Sequence, residues 1–375
     1  MADTADVVII GGGAAGCAVA YYLAQSGVKS TIIERAGLGN QASGNAAGGL
    51  NPLTGVGIPG PLASFAWECY KLHGDLHEGL VQDTGIDYQH HTVAKIDVAL
   101  EESSIAGMKE DALRIDAIDG FNARWLEPDE VAKLEPRIAP GILGGYYHQG
   151  DTSADSHKLT ESFAAAAANK AGSTVREGNV RSLEGSGDKI DRVILEDGEI
   201  SCGQVVMALG PWSRRAEAWL GIYIPVDPLK GEILRLKLDG PPIEYDISGG
   251  GASIYPKFTG LNWCGTTEDW KGFDLSLSDE VDKLIRKRLE RVFPELATAE
   301  LELHTACLRP VTPDWLPVLG RAPGWDNVYL ATGAGKKGIL LAPGIGQSVA
   351  DLMTTGETAL SIQGYSPERF ATLLD

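Results

Sequence analysis

Residues Val7 to Gly16 form a hydrophobic run that breaks into Gly11-x-Gly13-x-x-Gly16, and the next strand-like run, Ser30 to Ile33, closes on an acid, Glu34. Glycines alone would describe only a tight turn; strand, glycine turn, helix, strand and acid in that order describe a βαβ unit that binds a dinucleotide. Gly11 allows the turn out of the strand, Gly13 lets the backbone approach a pyrophosphate, and Gly16 lets the helix lie close to the strand. The helix that follows, Ala14 to Ser26, faces the phosphates with its free amides and the positive end of its dipole. Glu34 stands at the distance where a carboxylate accepts hydrogen bonds from an adenosine ribose.

The rest of the chain suits an enzyme of about two domains with a large buried core, given its 375 residues. A formal charge of −19 argues against nucleic acid or an anionic membrane as the main partner and is read as surface solvation. Five cysteines (Cys17, Cys69, Cys202, Cys264, Cys307) are scattered, with no CxxC pair and no metal-type spacing to histidine. They read as reduced thiols of a cytoplasmic protein, and no metal is expected. No signal peptide is expected either, because the first apolar run is itself the nucleotide strand and follows Asp3 and Asp6. No apolar stretch is long enough to span a bilayer.

The organisation reads as a nucleotide domain interrupted by a second one. A Gly/Asn/Pro-rich stretch, Gly37 to Pro61, is too long for an ordinary connection and marks a functional loop. Helical spacing runs from Leu62 to Gly85 with Trp67, Tyr70 and Leu72; short strands and an acidic helix, Pro128 to Leu134, follow between Ile86 and Gly145. The alanine-rich segment His157 to Ala171 predicts a long helix capped by Ser156 or Asp155. Ile190 onward alternates as a strand into an Asp197-Gly198 turn, and Gln204 to Leu209 predicts a buried strand ending in Gly210-Pro211-Trp212. Between Ile224 and Leu303, alternating strands such as Glu232 to Leu238 and Ser253 to Pro256 predict an antiparallel sheet, with a charged helix at Asp279 to Val292.

A second strand–glycine–helix unit comes late: Asn327-Val-Tyr-Leu-Ala-Thr-Gly333, then Gly338-Ile-Leu-Leu-Ala-Pro343 and a helix to Met353. It serves as a βα turn of the same sheet, as a further helix N-terminus aimed at the cofactor, or as both.

Taken in order, these blocks resemble the glycine oxidase and D-amino-acid oxidase family of flavoproteins along essentially the whole chain. The resemblance is carried by Gly11 to Gly16 with Glu34-Arg35, Ala42-Ser43-Gly-Asn-Ala-Ala47-Gly48-Gly49, Leu209-Gly210-Pro-Trp212-Ser, Pro228-Leu-Lys-Gly-Glu232, Leu308-Arg309-Pro310 with Leu316-Pro-Val-Leu-Gly320, and Gly338 to Pro343. It implies FAD rather than NAD, a choice the fingerprint alone leaves open. It also implies an α/β plus β architecture: a Rossmann-type FAD-binding domain (1–85, 140–222 and 305–375) interrupted by a mixed, largely antiparallel substrate domain (86–139 and 223–304).

By the same resemblance, Ala14 and Ala15 meet the pyrophosphate, and Glu34 with Arg35 meets the adenosine. Ala42, Ser43, Ala47, Gly48 and Gly49 line the flavin, where a flat ring needs close backbone approach. Gly210 and Trp212 join the cofactor set, and the backbone of Val180 touches the adenine. Ala334, Gly335, Lys336, Lys337, Gly338, Ile339 and Leu340 wrap the pyrimidine end of the ring. Arg309 matches the arginine that pairs with the substrate carboxylate, which a planar guanidinium can grip with two parallel bonds.

Three departures from the family stand out. Lys336 matches a second arginine, so the charge is kept and the fork is lost. Ser253 stands at an active-site tyrosine, with Tyr255 two residues on and hence on the same face of the strand. Glu268 replaces an apolar residue, either facing solvent or adding a negative group able to select a cationic amine. Hydride transfer to flavin asks the protein mainly to orient and desolvate a neutral amine, so no catalytic base is demanded; His90, His91, His148 and His304 have no assigned role. The expected substrate is a small amine or amino acid such as glycine, sarcosine or a D-amino acid, with oxygen or another electron acceptor as oxidant and a homo-oligomer allowed. One alternative is flavin-dependent removal of a carboxymethyl group from tRNA wobble uridine, suggested by Ala42-Ser-Gly-Asn45, Leu50-Asn-Pro-Leu53 and Thr312-Pro-Asp-Trp, and opposed by the acidic charge. The other is an FAD-dependent 2-hydroxy-acid dehydrogenase.

Overall fold

Val7, Val8, Ile9 and Ile10 are all fully or nearly fully buried, the signature of a parallel strand covered on both faces. In the computed structural model, which describes residues 3–374 and the side chains of 4–370, this run is the strand Asp3–Ile10. Positions 1, 2 and 375 of the expected 1–85 and 305–375 segments lie outside the described residues. The strand pairs in parallel with Gly198–Met207 on one side (Val8 opposite Val205) and Ser30–Glu34 on the other (Val8 opposite Thr31). The sheet order is Val318–Arg321, Val328–Thr332, Gly198–Met207, Asp3–Ile10, Ser30–Glu34, Thr174–Glu177. Its odd first-strand residues, Val7 and Ile9, pack on the helices Ala14–Gln25, Ser156–Ala171 and Gly338–Thr354; Val8 and Ile10 pack on the other side against Val180, Val193 and Leu195 of an antiparallel extension. The helix Ser156–Ala171 begins where Asp155, not Ser156, caps it: the Asp155 carboxylate accepts from His157 N (3.1 Å) and Lys158 N (3.0 Å).

The chain divides into two compact units, one of residues 1–90, 154–229 and 308–375, the other of 91–153 and 230–307. The division differs from the sequence expectation over 140–153 and, by a few residues each, over 86–90, 223–229 and 305–307. Gly144–Ser153, expected in the nucleotide-binding part, belongs to the second unit because it pairs antiparallel with His91–Ala99 and with Asn122–Leu126. The second unit's sheet runs Glu300–Val311, Asp227–Lys237, Leu261–Gly265, Ala252–Pro256, Asp246–Gly249, His91–Ala99, Gly144–Ser153. One face carries Ile96, Leu234, Leu236, Ile247, Ile254 and Cys264 against Ile285 and Leu289 of the helix Asp279–Glu290. A helix absent from the sequence reading, Glu102–Asp116, buries only Ala112 and Ile115, too few apolar positions to print a helical period.

The quoted block Pro228 to Glu232 turns out to hold a buried ion pair. Lys230 Nζ lies 3.0 Å from Glu232 Oε1 and donates to the carbonyl of Ser276, while Glu232 Oε2 lies 2.8 Å from His304 Nε2 and accepts from Ser278 N at 3.3 Å. These contacts fasten the loop before Asp279–Glu290 to the sheet. Among the described residues no helix is long and apolar enough to cross a membrane, and no group of His, Cys, Asp or Glu has the geometry to hold a metal ion.

Candidate cofactor and substrate site

The glycine fingerprint is enforced by contact. A Cβ on Gly16 would sit 2.0 Å from the carbonyl oxygen of Gly11, and one on Gly11 would sit 2.2 Å from that of Ala208. The helix Ala14–Gln25 can therefore start directly at the strand end, with Gly13 as its N-cap and Ala14, Ala15 and Gly16 as its first residues. Glu34 organises the turn: its Oε2 accepts from Gly12 N (2.8 Å), and its Oε1 accepts from Arg35 N (2.8 Å) and Ala36 N (2.9 Å). A carboxylate offers about four acceptor positions, so Oε2 retains one for a ribose hydroxyl. Ser43 Oγ accepts from Ala14 N at 2.9 Å, which brings the loop residues Ala42 and Ser43 to the helix N-terminus. A close-packed glycine turn, a helix N-terminus and a carboxylate with spare acceptor capacity fit the pyrophosphate and ribose of FAD.

Two other expected cofactor residues meet each other. The Arg35 guanidinium lies 4.1 Å from the ring centroid of Trp212, a stacking that fixes both side chains. Burial, and then Arg215, lower the Arg35 pKa from its usual value. Beside Trp212, Ser213 Oγ donates to the carbonyl of Gly210 at 2.6 Å and contacts Thr332 Oγ1 at 2.6 Å. Val180 is buried and pairs with Leu195.

The glycine-rich segment is tied down at two places. Gly48 O accepts from Ala154 N at 3.0 Å, placing Ala47, Gly48 and the exposed Gly49 against the cap of the Ser156–Ala171 helix. Lys337 Nζ donates to the carbonyls of Asn51 (2.8 Å) and Thr54 (2.7 Å). Sequence reasoning placed Lys337 among cofactor contacts and missed this clasp, since nothing in local spacing links residues nearly 290 positions apart. Ala334 is the N-cap of the turn Gly335–Lys337, and Gly338 opens the helix Gly338–Thr354. Ile339 and Leu340 bury their side chains, and both their carbonyls lie 3.1 Å from His73 Nε2. Burial, then His90, push His73 down to about 4; the ring is neutral, and two carbonyl acceptors require the proton on Nε2.

The three residues expected to act on substrate fall in both units. Arg309 is half-buried in Glu300–Val311, after the buried Leu308, and belongs to the first unit. Lys336, also in the first unit, is exposed, and its Nζ lies 5.2 Å from the indole centroid of Trp315, a residue held at φ +62°. Tyr255 lies in the second unit, half-buried on Ala252–Pro256, where the buried Ile254 between them puts Ser253 and Tyr255 on one face as the strand period requires. Burial raises the Tyr255 phenol above its usual pKa. Glu268 is exposed. Among the unassigned histidines, His90 lies tilted at 46° beside His77 (5.3 Å between centroids), His91 meets Phe258 edge-on (4.6 Å), and His304 serves the Lys230–Glu232 pair.

Comparison with known proteins gives this geometry its family. The model of the FAD dependent oxidoreductase family matches residues 6–352. A glycine oxidase from Geobacillus kaustophilus is 31% identical over 370 residues, spanning 97% of this chain and 97% of that protein. A D-amino acid dehydrogenase from Neisseria meningitidis is 25% identical over 416 residues, spanning 97% of this chain and 99% of that protein. The crystal structure of glycine oxidase from Geobacillus kaustophilus has the same fold, with a TM-score of 0.90 at 29% identity, covering 97% of this chain and 98% of that one. With the fingerprint, the cradle and a match over nearly its whole length in agreement, the chain belongs to the FAD dependent oxidoreductase family.

Proposed function

We propose that this protein oxidises the C–N bond of a small amine or amino acid, with glycine, sarcosine and D-amino acids as the candidate substrates, and passes the electrons to FAD. The observation that carries the reading is the pairing, within one compact unit, of the Gly11–Gly16 cradle with a half-buried arginine, Arg309, at the end of a strand. Bound FAD supplies a two-electron acceptor that oxygen or another acceptor regenerates. The protein's own contribution is placement. Glu34, Ser43 and the N-terminus of Ala14–Gln25 hold the dinucleotide, and the Lys337 clasp holds the glycine-rich loop.

Arg309 binds the substrate carboxylate, and a bidentate grip fixes the α-carbon in one orientation. Lys336, held over Trp315, adds positive charge without a fork. The amine reacts in its neutral form, so activity rises with pH as the substrate loses its proton. The imine product then hydrolyses to a 2-oxo acid and ammonia or an amine. The unit of 1–90, 154–229 and 308–375, which carries the cradle, Arg309 and Lys336, is assigned to FAD. A cytoplasmic location is part of this reading, and the five free cysteines support it.

Arg309→Ala tests the site. Loss of a charge-assisted anchor of roughly 1.5–3 kcal/mol raises KM about 10- to 150-fold while FAD stays bound. An unchanged KM for a substrate the wild type oxidises removes Arg309 from the site.

A further inference from the structure

The helix Gly338–Thr354 carries a proline near its start, Pro343, and still continues to Thr354. In a regular helix each carbonyl accepts from the amide four residues on, so the Ile339 carbonyl would accept from residue 343, which has no N–H. Ile339 is buried, and a buried carbonyl left without a donor is costly. The missing donor comes from another helix. His73, itself 1% exposed, places Nε2 3.1 Å from the Ile339 carbonyl and 3.1 Å from that of Leu340.

The face that delivers His73 is shaped for this contact. Phe65, Cys69 and His73 recur every four residues on Ala63–Thr84, and all three are buried, so they form one stripe. Cys69 Sγ donates to the Leu341 carbonyl at 3.8 Å, and a Cβ on Gly344 would sit 2.3 Å from that sulfur. Glycine at 344 therefore lets the two helices approach until His73 reaches the carbonyl that Pro343 leaves without a donor. Both helices belong to the same compact unit. Because Pro343 interrupts the hydrogen-bond ladder, the pose of the first turn is set from Ala63–Thr84 rather than by its own helix alone. That turn carries the free amides and the positive dipole end.

We propose that His73 is a positioning residue for the flavin: standing in for the donor that Pro343 lacks, it fixes the first turn of Gly338–Thr354 so that its free amides stabilise the negative charge a reduced flavin gathers on its pyrimidine ring. The proposal deepens the reading above. It rests on bound FAD and on the expected contact of Ala334 to Leu340 with the pyrimidine end, and it makes His73 a determinant of how strong an oxidant the flavin is.

The test is the midpoint potential of the bound flavin in purified holoenzyme, measured by equilibration with a reference dye and with no substrate present. His73→Leu shifts the two-electron equilibrium about tenfold toward oxidised flavin, a fall of about 30 mV, the size of a helix-terminus effect on a charge. His73→Leu combined with Pro343→Ala returns an N–H to residue 343 and restores the potential. A flavin-loaded His73→Leu with an unchanged potential overturns the proposal even where its thermal stability is lower, since the role is then structural. A lowered potential that Pro343→Ala does not restore overturns it too. If His73→Leu does not fold or retain flavin, the double variant decides: bound flavin at the wild-type potential is the expected result, and no recovery overturns the proposal. A potential that falls and is restored in this way, in an enzyme whose flavin no amine bleaches, removes the amine-oxidising reading and leaves the role of His73 standing.

Discussion

Replacing Lys337 by Met removes two hydrogen bonds at once, to the carbonyls of Asn51 and Thr54. A hydrogen bond from a charged donor contributes about 1.5–3 kcal/mol net. The side chain is half-buried and both carbonyls can be rehydrated, so the lower end applies, or about 3 kcal/mol for the pair. Releasing an ordered lysine returns up to roughly 2 kcal/mol of rotamer entropy. The remaining 1–1.5 kcal/mol, about tenfold in an equilibrium constant, is the expected shift toward an open loop. Hydrogen exchange of the amides that the closed loop protects reads this directly: Leu53 and Thr54, which donate to Asn51 Oδ1, and Ile58 and Leu62. They exchange about tenfold faster in Lys337→Met, in the apoprotein as in the holoprotein, and Lys337→Arg recovers part of the protection. Unchanged exchange together with outright loss of FAD would refute the reasoning, because the ammonium would then serve the cofactor directly.

Two further substitutions test the frame around the site. Gly16→Ala places a methyl group 2.0 Å from the Gly11 carbonyl, so the helix must retreat by about 1 Å from the strand; the variant folds but purifies with a low ratio of flavin absorbance to protein absorbance. Glu232→Gln removes the nearer counter-charge of the buried Lys230 ammonium and leaves it Asp274 at 3.9 Å, and denaturant unfolding should show a loss of about 3 kcal/mol, the low end for a broken buried pair.

The nucleotide-binding half was legible because its determinants are local. Val7 to Gly16 and Glu34 lie within thirty residues of one another, and the turn, the helix start and the carboxylate each leave a residue-type signature. The helices Ala63–Thr84, Pro128–Leu134 and Gly338–Thr354 were legible for the same reason, their apolar period or proline start being continuous in the chain. What stayed hidden depends on long-range pairing. The strand Gly144–Ser153 has a pattern that fits either unit, and only its ladder with His91–Ala99 assigns it. The Lys337 clasp and the Arg35–Trp212 stack join side chains to distant segments, and no spacing rule announces them. Trp315 at positive φ was equally unreadable, since a tryptophan gives no turn signal of its own.

The central claim is that FAD on this chain takes electrons from an amine. The most direct measurement is anaerobic bleaching of the bound flavin at about 450 nm against glycine, sarcosine, D-amino acids including D-arginine, and 2-hydroxy acids, with ammonia and methylamine assayed in the same reaction. Bleaching by an amine, with stoichiometric release of ammonia or an amine, is the expected result, and admitting air then separates an oxidase from a dehydrogenase. Bleaching by hydroxy acids alone, or by none of the panel, contradicts it.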